Sequence, residues 1–169
     1  MFIAPMLLHK SDHPFDDDKY ITELKLDGIR LLLSKFEDKV RLYTRHNNEV
    51  TSKFPELLQI DIPDDTVLDG EIVVTDKQGK PDFEAMMERF MSHRSDHKVQ
   101  YCVFDVIFHK GKKVTHLPLI ERKELLDAIM EPTEVITKVQ WMYGKGRDYF
   151  NLVKEEGLEG IVLKKADSK

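Results

Sequence analysis

The sequence predicts an α+β domain with mainly antiparallel sheets flanked by helices. Its 169 residues suit one domain, and 41% of them are hydrophobic, which excludes a wholly disordered chain. Predicted strands follow one another more often than they alternate with helices, and this order favours antiparallel pairing over a doubly wound parallel sheet. A chain of this length buries enough surface to fold without disulfides or a structural metal.

The predicted elements depend on the spacing of apolar residues and on turn residues. Strands are predicted where apolar residues alternate or run together, at 20–26, 30–36, 40–43, 66–76, 99–108, 135–141 and 160–164. The segment 66–76 is expected to be a strand pair or a long strand broken at Asp69-Gly70. Helices are predicted where apolar residues recur every three or four positions, at 52–59, 83–91, 118–130 and 147–156. The clearest helix begins near Pro118, and its predicted buried face consists of Leu119, Leu125, Leu126 and Ile129.

Charge and cysteine content narrow the functional class. The chain has 26 basic and 31 acidic residues, a net charge of −5, which argues against nucleic-acid binding by bulk charge alone. No apolar run approaches the ~20 residues that a membrane-spanning helix needs, so no membrane association is expected. The single cysteine, Cys102, cannot form an internal disulfide and indicates a reducing cytoplasm.

The first candidate site surrounds Lys25, in the segment Glu23-Leu24-Lys25-Leu26-Asp27-Gly28-Ile29-Arg30. Lys25 stands at the end of a predicted strand, and Gly28 permits a sharp turn after it. A lysine is a nucleophile only after it loses a proton, so its ordinary pKa of about 10.4 must be lowered by burial or by nearby positive charge. Arg30 or a bound metal would supply that charge. The alternative is a surface turn with a charged rim.

Two further segments place single polar or aromatic groups within apolar strands. Glu71 follows Asp69-Gly70, and a buried carboxylate requires a partner, which a ribose hydroxyl, a metal or a basic side chain would provide. Phe104, beside Asp105, offers a ring on which a flat base can stack. The alternatives are a strand-edge glutamate paired with a lysine, and a phenylalanine that belongs to the core.

The last predicted strand has a carboxylate at one end and a cation at the other. Glu159 precedes it, and alternation places Gly160, Val162 and Lys164 on one face. Such a strand suits a metal at Glu159 and a phosphate at Lys164. The alternative is a strand whose lysines extend along the surface to reach water.

The order and spacing of these segments resemble the adenylation domain of ATP-dependent DNA ligases, which are covalent nucleotidyltransferases with an ATP-grasp-like fold. The matching motifs are K-x-D-G-x-R at 25–30, D-G-E at 69–71, F-D at 104–105 and E-G-x-V-x-K at 159–164. Pro5-Met6-Leu7 and the segment LPLIERKELL at 117–126 favour DNA ligases over RNA ligases and capping enzymes. The resemblance covers nearly all of the chain and points to the minimal ligases of bacteria and phages.

The resemblance implies a three-step reaction with ATP and Mg²⁺ on nicked duplex DNA. Lys25 would attack the α-phosphate of ATP, form a lysyl-AMP phosphoramidate and release pyrophosphate. AMP would then pass to the 5′-phosphate of the nick, and the 3′-hydroxyl would displace it to seal the strand. The resemblance further implies a monomeric cytoplasmic enzyme of DNA repair, replication and recombination.

The resemblance also assigns roles near the base and the nucleophile. Glu23 and the backbone at Leu24 would contact the adenine amino group. Phe104 would stack on the adenine ring. Asp27 and Gly28 would support the segment that carries the nucleophile, so that the lysine is held close to the nucleotide.

A second group of residues would contact the remainder of the nucleotide, again as the resemblance implies. Arg30, Arg45 and Lys164 would contact the ribose and the phosphates. Glu71 would hold the ribose or assist a metal, and Glu159 would assist Mg²⁺. Mg²⁺ suits such oxygen-rich sites, which nucleotide phosphates complete.

Two departures from the family pattern affect these expectations. After Arg45 the family has a glycine within two residues, but this chain has His46-Asn47-Asn48, and asparagine can adopt the same left-handed turn. The family's last lysine motif and its OB-fold domain do not follow Lys164, so residues 1–169 are expected to be one adenylation domain, truncated at its C-terminal end. The alternatives are an RNA ligase or capping-type nucleotidyltransferase, and a non-catalytic nucleotide- or DNA-binding module.

Overall fold

The computed structural model describes residues 1–6, 15, 17, 19–92, 95–144, 146–155 and 160–169. Over these residues the chain is α+β, as predicted. The strands are β1 (Tyr20–Lys25), β2 (Ile29–Phe36), β3 (Lys39–Thr44), β4 (Thr66–Val74), β5 (Val99–His109), β6 (Lys112–Lys113), β7 (Ile136–Lys138), β8 (Trp141–Tyr143) and β9 (Gly160–Lys165). The helices are α1 (Phe83–Met91), α2 (Leu119–Ile129) and α3 (Gly146–Glu155). None of the helices in the described ranges is long and apolar enough to cross a membrane.

Within the described residues the strands form two sheets, and all but one of the strand pairs are antiparallel. The larger sheet has the order β3-β2-β4-β5-β6, and β7 pairs with β5 in parallel. The smaller sheet has the order β8-β1-β9. The chain passes from the smaller sheet to the larger one between β1 and β2.

Gly28 allows this passage because no side chain would fit at its position. A Cβ atom there would lie 2.2 Å from the carbonyl oxygen of Ile72 on β4 and 2.8 Å from the side chain of Val73. Gly28 does not have a positive φ, so the need for glycine arises from close backbone approach and not from a left-handed turn. The close contact holds the end of β1 against the larger sheet.

The main core lies on one face of the larger sheet. Leu31 and Leu33 of β2 pack in this core with Tyr101, whereas Leu32 packs in a smaller cluster with Val67. This is the alternation expected of a strand that is buried on both faces. Each buried leucine contributes about 1.5–3 kcal/mol, and the Tyr101 hydroxyl donates to the carbonyl of Leu31 over 2.6 Å. These contacts fix β2 and therefore the side chains at its start.

Two predicted elements differ from the structure. The helix predicted at 52–59 is two 3₁₀ turns, Thr51–Lys53 and Pro55–Leu57, because a proline within the segment cannot donate a backbone hydrogen bond. The strand predicted at 135–141 is divided between the sheets, since β7 pairs with β5 and β8 pairs with β1. The residues between β7 and β8, including Val139, thus cross from one sheet to the other.

β4 is continuous, so the break that Asp69-Gly70 suggested is absent. The irregularity lies instead in its pairing with β5, where the register shifts twice, between Val67 and Leu68 and between Asp69 and Gly70. A Cβ atom at Gly70 would lie 2.5 Å from the carbonyl oxygen of Cys102, so glycine lets the two strands approach. Immediately after the second shift, Glu71 stands at a half-buried position.

Candidate active site

A cleft lies where the two sheets meet. The smaller sheet contributes residues of β1 and β9, and the larger sheet contributes residues of β2, β4 and β5. The cleft is lined by Met6, Glu23, Leu24, Lys25, Leu26, Arg30, Glu71, Phe104, Val139, Val162 and Lys164. It therefore brings together most of the residues that the sequence predicts for a nucleotide site, although the first and last of them are 141 positions apart: Glu23, Leu24, Lys25, Arg30, Glu71, Phe104 and Lys164.

Lys25, the candidate nucleophile, is the last residue of β1 and is exposed. The backbone of Lys25 pairs with that of Gly160 at the start of β9, and this pairing fixes the position of Lys25 along the cleft. Glu71 of β4 lines the same cleft. Exposure at a strand end suits a nucleophile that must reach one bound molecule and then pass a group to another.

Arg30 of β2 is held by a bidentate ion pair with Asp69 of β4. Its Nη2 lies 2.6 Å from Oδ2 and its Nε lies 3.1 Å from Oδ1 of the buried Asp69. Burial by itself would lower the pKa of the Arg30 guanidinium. The hydrogen bonds to Asp69 and the negative charge of Asp69 outweigh this effect, so the pKa is raised. The guanidinium carbon lies 5.2 Å from the centroid of the Phe104 ring. Arg30 is therefore a fixed positive charge beside this ring.

Phe104 of β5 is half-buried and lines the cleft with its ring. The Nζ atom of Lys164 lies over the ring, 4.1 Å from its centroid. Met6, Val139 and Val162 supply apolar surface in the same cleft. An aromatic ring with apolar neighbours suits a flat base, and the adjacent cations suit an anion attached to that base.

The Glu23 carboxylate is only 2% exposed and lies between two lysines. Lys164 donates to one of its oxygens over 2.9 Å, and Lys123 of α2 forms an ion pair with the other. Burial by itself would raise the pKa of Glu23, but the charges of Lys164 and Lys123 outweigh it and lower this pKa. Lys123 also donates to the backbone carbonyl of Phe104, and burial lowers the pKa of Lys123. The cluster thus contains one carboxylate and two ammonium groups.

A second buried ion pair lies next to this cluster. Arg122 of α2 donates to the two carboxylate oxygens of Asp105 over 2.9 and 3.2 Å. It also donates to the carbonyls of Leu117 and Ser168 over 2.6 and 2.9 Å. Asp105 in turn accepts from the backbone N–H of Val106. This network holds α2 against β5 immediately after the aromatic residue of the cleft.

The roles of Arg122 and Lys123 were not predicted from the sequence. Leu125 and Ile129 were predicted to belong to the buried face of the helix, but both are only partly buried. The buried face consists of Leu119, Arg122, Lys123 and Leu126, which have the helical spacing i, i+3, i+4 and i+7. Hydropathy marks the two cations as solvent-facing, although their spacing with the leucines was visible in the sequence.

Other predicted site residues lie outside the cleft lining. Arg45, just after β3, is exposed, and its Nε donates to His46 Nε2 over 3.2 Å. Asn47 has a φ of 66°, which confirms that asparagine adopts the left-handed turn here. Asp27 and Gly28 lie in the link between β1 and β2. Glu159 lies outside the described residues.

The carboxylates of the cleft fit a metal that arrives with a ligand. Among the described residues, no three His, Cys, Asp or Glu side chains come together in a way that could hold a metal ion. The cleft lining includes two carboxylates, Glu71 and the lysine-paired Glu23. Mg²⁺ commonly takes one or two carboxylates and completes its shell with water and phosphate oxygens. Glu71 is suited to that role.

Related proteins align with this chain over nearly its whole length. It is 58% identical over 168 residues to the SPbeta prophage-derived DNA ligase-like protein LigB of Bacillus subtilis (strain 168), a match that covers 99% of this chain and 62% of that protein. It is 32% identical over 171 residues to the multifunctional non-homologous end joining protein LigD of Mycobacterium bovis, which covers 99% of this chain and 22% of that protein. The chain thus spans less than two thirds of the length of these relatives.

Solved structures share its fold. Mycobacterial DNA ligase D complexed with ATP and MES matches with a TM-score of 0.84 and 29% identity, over 98% of this chain and 55% of that chain. The ligase domain from M. tuberculosis LigD matches with a TM-score of 0.75 and 27% identity, over 92% of this chain and 50% of that chain. A model of the ATP-dependent DNA ligase domain family matches residues 5–169. This chain therefore belongs to the ATP-dependent DNA ligase domain family.

Proposed function

We propose that this chain carries the adenylation activity of an ATP-dependent DNA ligase. The supporting observation is the cleft, in which the exposed Lys25 stands near the ring of Phe104 and the cations Arg30 and Lys164. Nζ of neutral Lys25 attacks the α-phosphorus of ATP, a P–N bond forms, and pyrophosphate leaves. Positioning and charge neutralisation dominate such phosphoryl transfers, and the cleft offers groups for both.

The two later steps pass AMP to DNA and release it. A 5′-phosphate oxygen at the nick attacks the phosphorus of lysyl-AMP, the P–N bond breaks, and Lys25 regains a proton. The 3′-hydroxyl then attacks the 5′-phosphate, the phosphodiester forms, and AMP leaves. The likeness to LigB and LigD supports DNA as the substrate, and the likeness to a ligase complexed with ATP supports ATP as the donor.

In this proposal the base occupies the apolar part of the cleft. Adenine stacks on Phe104, while Glu23 and the backbone of Leu24 contact its amino group. Leu24 lines the cleft on β1 between Glu23 and the nucleophile, which supports this assignment. Asp27 and Gly28 keep the following link close to β4 and so support the position of Lys25.

The cations and the remaining carboxylates serve the ribose, the phosphates and the metal. Arg30 and Lys164 neutralise the phosphates, and Arg45 joins them if the loop after β3 closes over the nucleotide. Glu71 contacts the ribose or holds Mg²⁺, and Glu159 assists the metal. When bound, Mg²⁺ neutralises part of the triphosphate charge. The proposed partners are ATP and nicked duplex DNA, with the chain acting as a monomer in the cytoplasm during DNA repair, replication or recombination.

Mass spectrometry of the purified chain tests the first step. After incubation with ATP and Mg²⁺, we expect a mass increase of one AMP that peptide mapping assigns to Lys25. Lys25→Ala should give no adduct, and GTP should give much less than ATP. An adduct on another residue, or none at all, would contradict the proposal.

A sealing assay tests the later steps and separates the alternatives. The adenylated chain, freed of ATP, is mixed with a nicked DNA duplex that carries a 5′-phosphate, or with the matching RNA duplex. We expect AMP transfer to the DNA end. Transfer to RNA alone would indicate an RNA ligase, and an adduct that passes to neither would contradict the ligase proposal.

A further inference from the structure

Lys123 lies outside the cleft lining but contacts residues of both sheets that form the candidate active site. It is 2% exposed, and its ammonium group forms an ion pair with Glu23 of β1 and donates to the carbonyl of Phe104 on β5. A single buried lysine on α2 therefore joins the smaller sheet to the larger one. It does not line the cleft, so it cannot act on a bound nucleotide by direct contact.

The charges around Glu23 do not balance. Its carboxylate is shared by Lys123 and Lys164, and Lys164 lies 2.9 Å from it with only 6% of its surface exposed. The cluster therefore has a net charge of +1. The neighbouring carboxylates Asp69 and Asp105 are already paired with arginines of their own, Arg30 and Arg122.

Burial of a net positive charge in a protein costs free energy unless an anion compensates that charge. Without Lys123, Glu23 and Lys164 would form a neutral pair, and a phosphate entering the cleft would meet no net charge from them. With Lys123 in place, one ammonium compensates the carboxylate and the other remains uncompensated. Of the two lysines, Lys164 lines the cleft, so the surplus charge faces the ligand there.

We propose that Lys123 is a positioning residue that compensates the buried Glu23 carboxylate, so that the charge of Lys164 remains available to the nucleotide phosphates. The inference rests on the proposed function, since it needs a nucleotide with phosphates in the cleft. It assigns a role to a residue of α2, a helix that contributes no residue to the cleft lining. It also explains why a buried surface of α2 carries a lysine where a leucine or methionine would pack.

Substitutions that change the cluster charge in known steps test this role. Lys123→Met lowers the charge from +1 to 0 and leaves Glu23 paired with Lys164, so no buried carboxylate loses its last partner. Lys123→Arg retains the charge of +1. Lys35→Met is a matched control, because Lys35 is a half-buried lysine that donates to the carbonyls of Ile60 and Ile62 away from the cleft.

The first readout is the rate of lysyl-AMP formation as a function of ATP concentration, in single turnovers. Loss of a donor that contacts a phosphate directly lowers rates by ~10²–10³, so we expect Lys123→Met, which acts indirectly, to lower kcat/KM by about tenfold. Lys123→Arg should retain most of the wild-type rate, and Lys35→Met should resemble the wild type. If Lys123→Arg is as slow as Lys123→Met, the charge argument is wrong.

The second readout is equilibrium binding by calorimetry, with ATP and adenosine as ligands and without Mg²⁺. Adenosine has no phosphate, so Lys123→Met should weaken ATP binding and leave adenosine binding unchanged. Equal weakening of both would mean that Lys123 only holds Phe104 in place, and no weakening of either would also overturn the inference. If the wild type binds no ATP and forms no lysyl-AMP, the proposed function itself fails. If the wild type is active and Lys123→Met behaves like it, only the inference about Lys123 fails.

Discussion

Two neighbouring residues of α2 enter charge clusters of different kinds. Arg122 pairs with Asp105, so that one cation meets one carboxylate, and each guanidinium nitrogen of Arg122 donates to a protein acceptor. Lys123 joins Lys164 on the single carboxylate of Glu23, which leaves a positive charge in excess. Both clusters are almost fully buried, and both lie beside the cleft. They differ in charge balance, and Glu23 and Lys164 of the unbalanced cluster line the cleft.

This difference separates structural from functional use of buried charge. In a balanced pair each charge compensates the other. Removal of one partner leaves the other as an uncompensated charge in the protein interior, which solvates it poorly. An uncompensated positive charge is compensated when an anionic ligand binds, and its electrostatic field attracts anions into the cleft. We therefore expect changes in the Arg122 cluster to alter the free energy of unfolding, and changes in the Lys123 cluster to alter nucleotide binding more than stability.

The largest expected effect falls on a residue of neither cluster. Lys25→Ala should abolish formation of lysyl-AMP, because the variant has no amine to attack the phosphorus. Since Lys25 is exposed at a strand end, the free energy of unfolding should change by less than about 1 kcal/mol. Radiolabelled ATP with Mg²⁺ and urea unfolding measure the two quantities. Label retained on the variant, with Lys19→Ala as a control that keeps Lys25, would mean that another residue is the nucleophile.

Removal of the balanced cation should give the next largest effect. Arg122→Met leaves Asp105 buried without its cation, and we expect a loss of about 3–5 kcal/mol in the free energy of unfolding. Lys123→Met should cost clearly less, because Glu23 keeps Lys164. Urea unfolding of both variants under the same conditions measures the difference. Equal losses would show that charge balance does not distinguish the two clusters.

The sequence predicted the α+β class and most of the cleft, because the motif residues lie at strand positions that local patterns identify. Lys25, Phe104 and Lys164 converge as expected. The division of 135–141 between two sheets was not predictable from alternation, because a strand pattern does not specify the strand with which it pairs. The proline inside 52–59 was a local signal that favoured turns over a helix.

The charge clusters were harder to predict. Burial of Arg122 and Lys123 depends on Asp105 and Glu23, which lie 17 and 100 positions earlier in the chain. A helical wheel of α2 alone shows only a weak apolar face, since two of its four buried positions carry charge. Pairs of this kind become visible only when the tertiary arrangement brings acidic and basic residues together.

The aromatic platform gives the third expected effect. Phe104→Ala should weaken ATP binding by roughly ten- to hundredfold, because loss of one base–aromatic stack costs about 1–3 kcal/mol. Phe90→Ala is a matched control: Phe90 also has a lysine over its ring, 4.7 Å from the centroid, but it packs against Phe54 away from the cleft. Calorimetric titration with ATP and GTP measures affinity and base preference. Unchanged ATP affinity in Phe104→Ala, or equal affinity for ATP and GTP, would contradict the stacking role.

The smallest expected effect is a pH dependence of stability that arises from the unbalanced cluster. Because Lys164 and Lys123 outweigh burial and lower the pKa of Glu23, the unfolded chain binds this proton more tightly than the folded protein does. The stabilising contribution is therefore complete above the ordinary value of 4.5 and is lost as pH falls through the lower pKa of the folded state. Glu23→Gln has no such proton to bind. Urea unfolding of the wild type and of Glu23→Gln, above and below pH 4.5, should show their difference in free energy shifting against the wild type as pH falls, and a difference independent of pH would exclude a lowered pKa for Glu23.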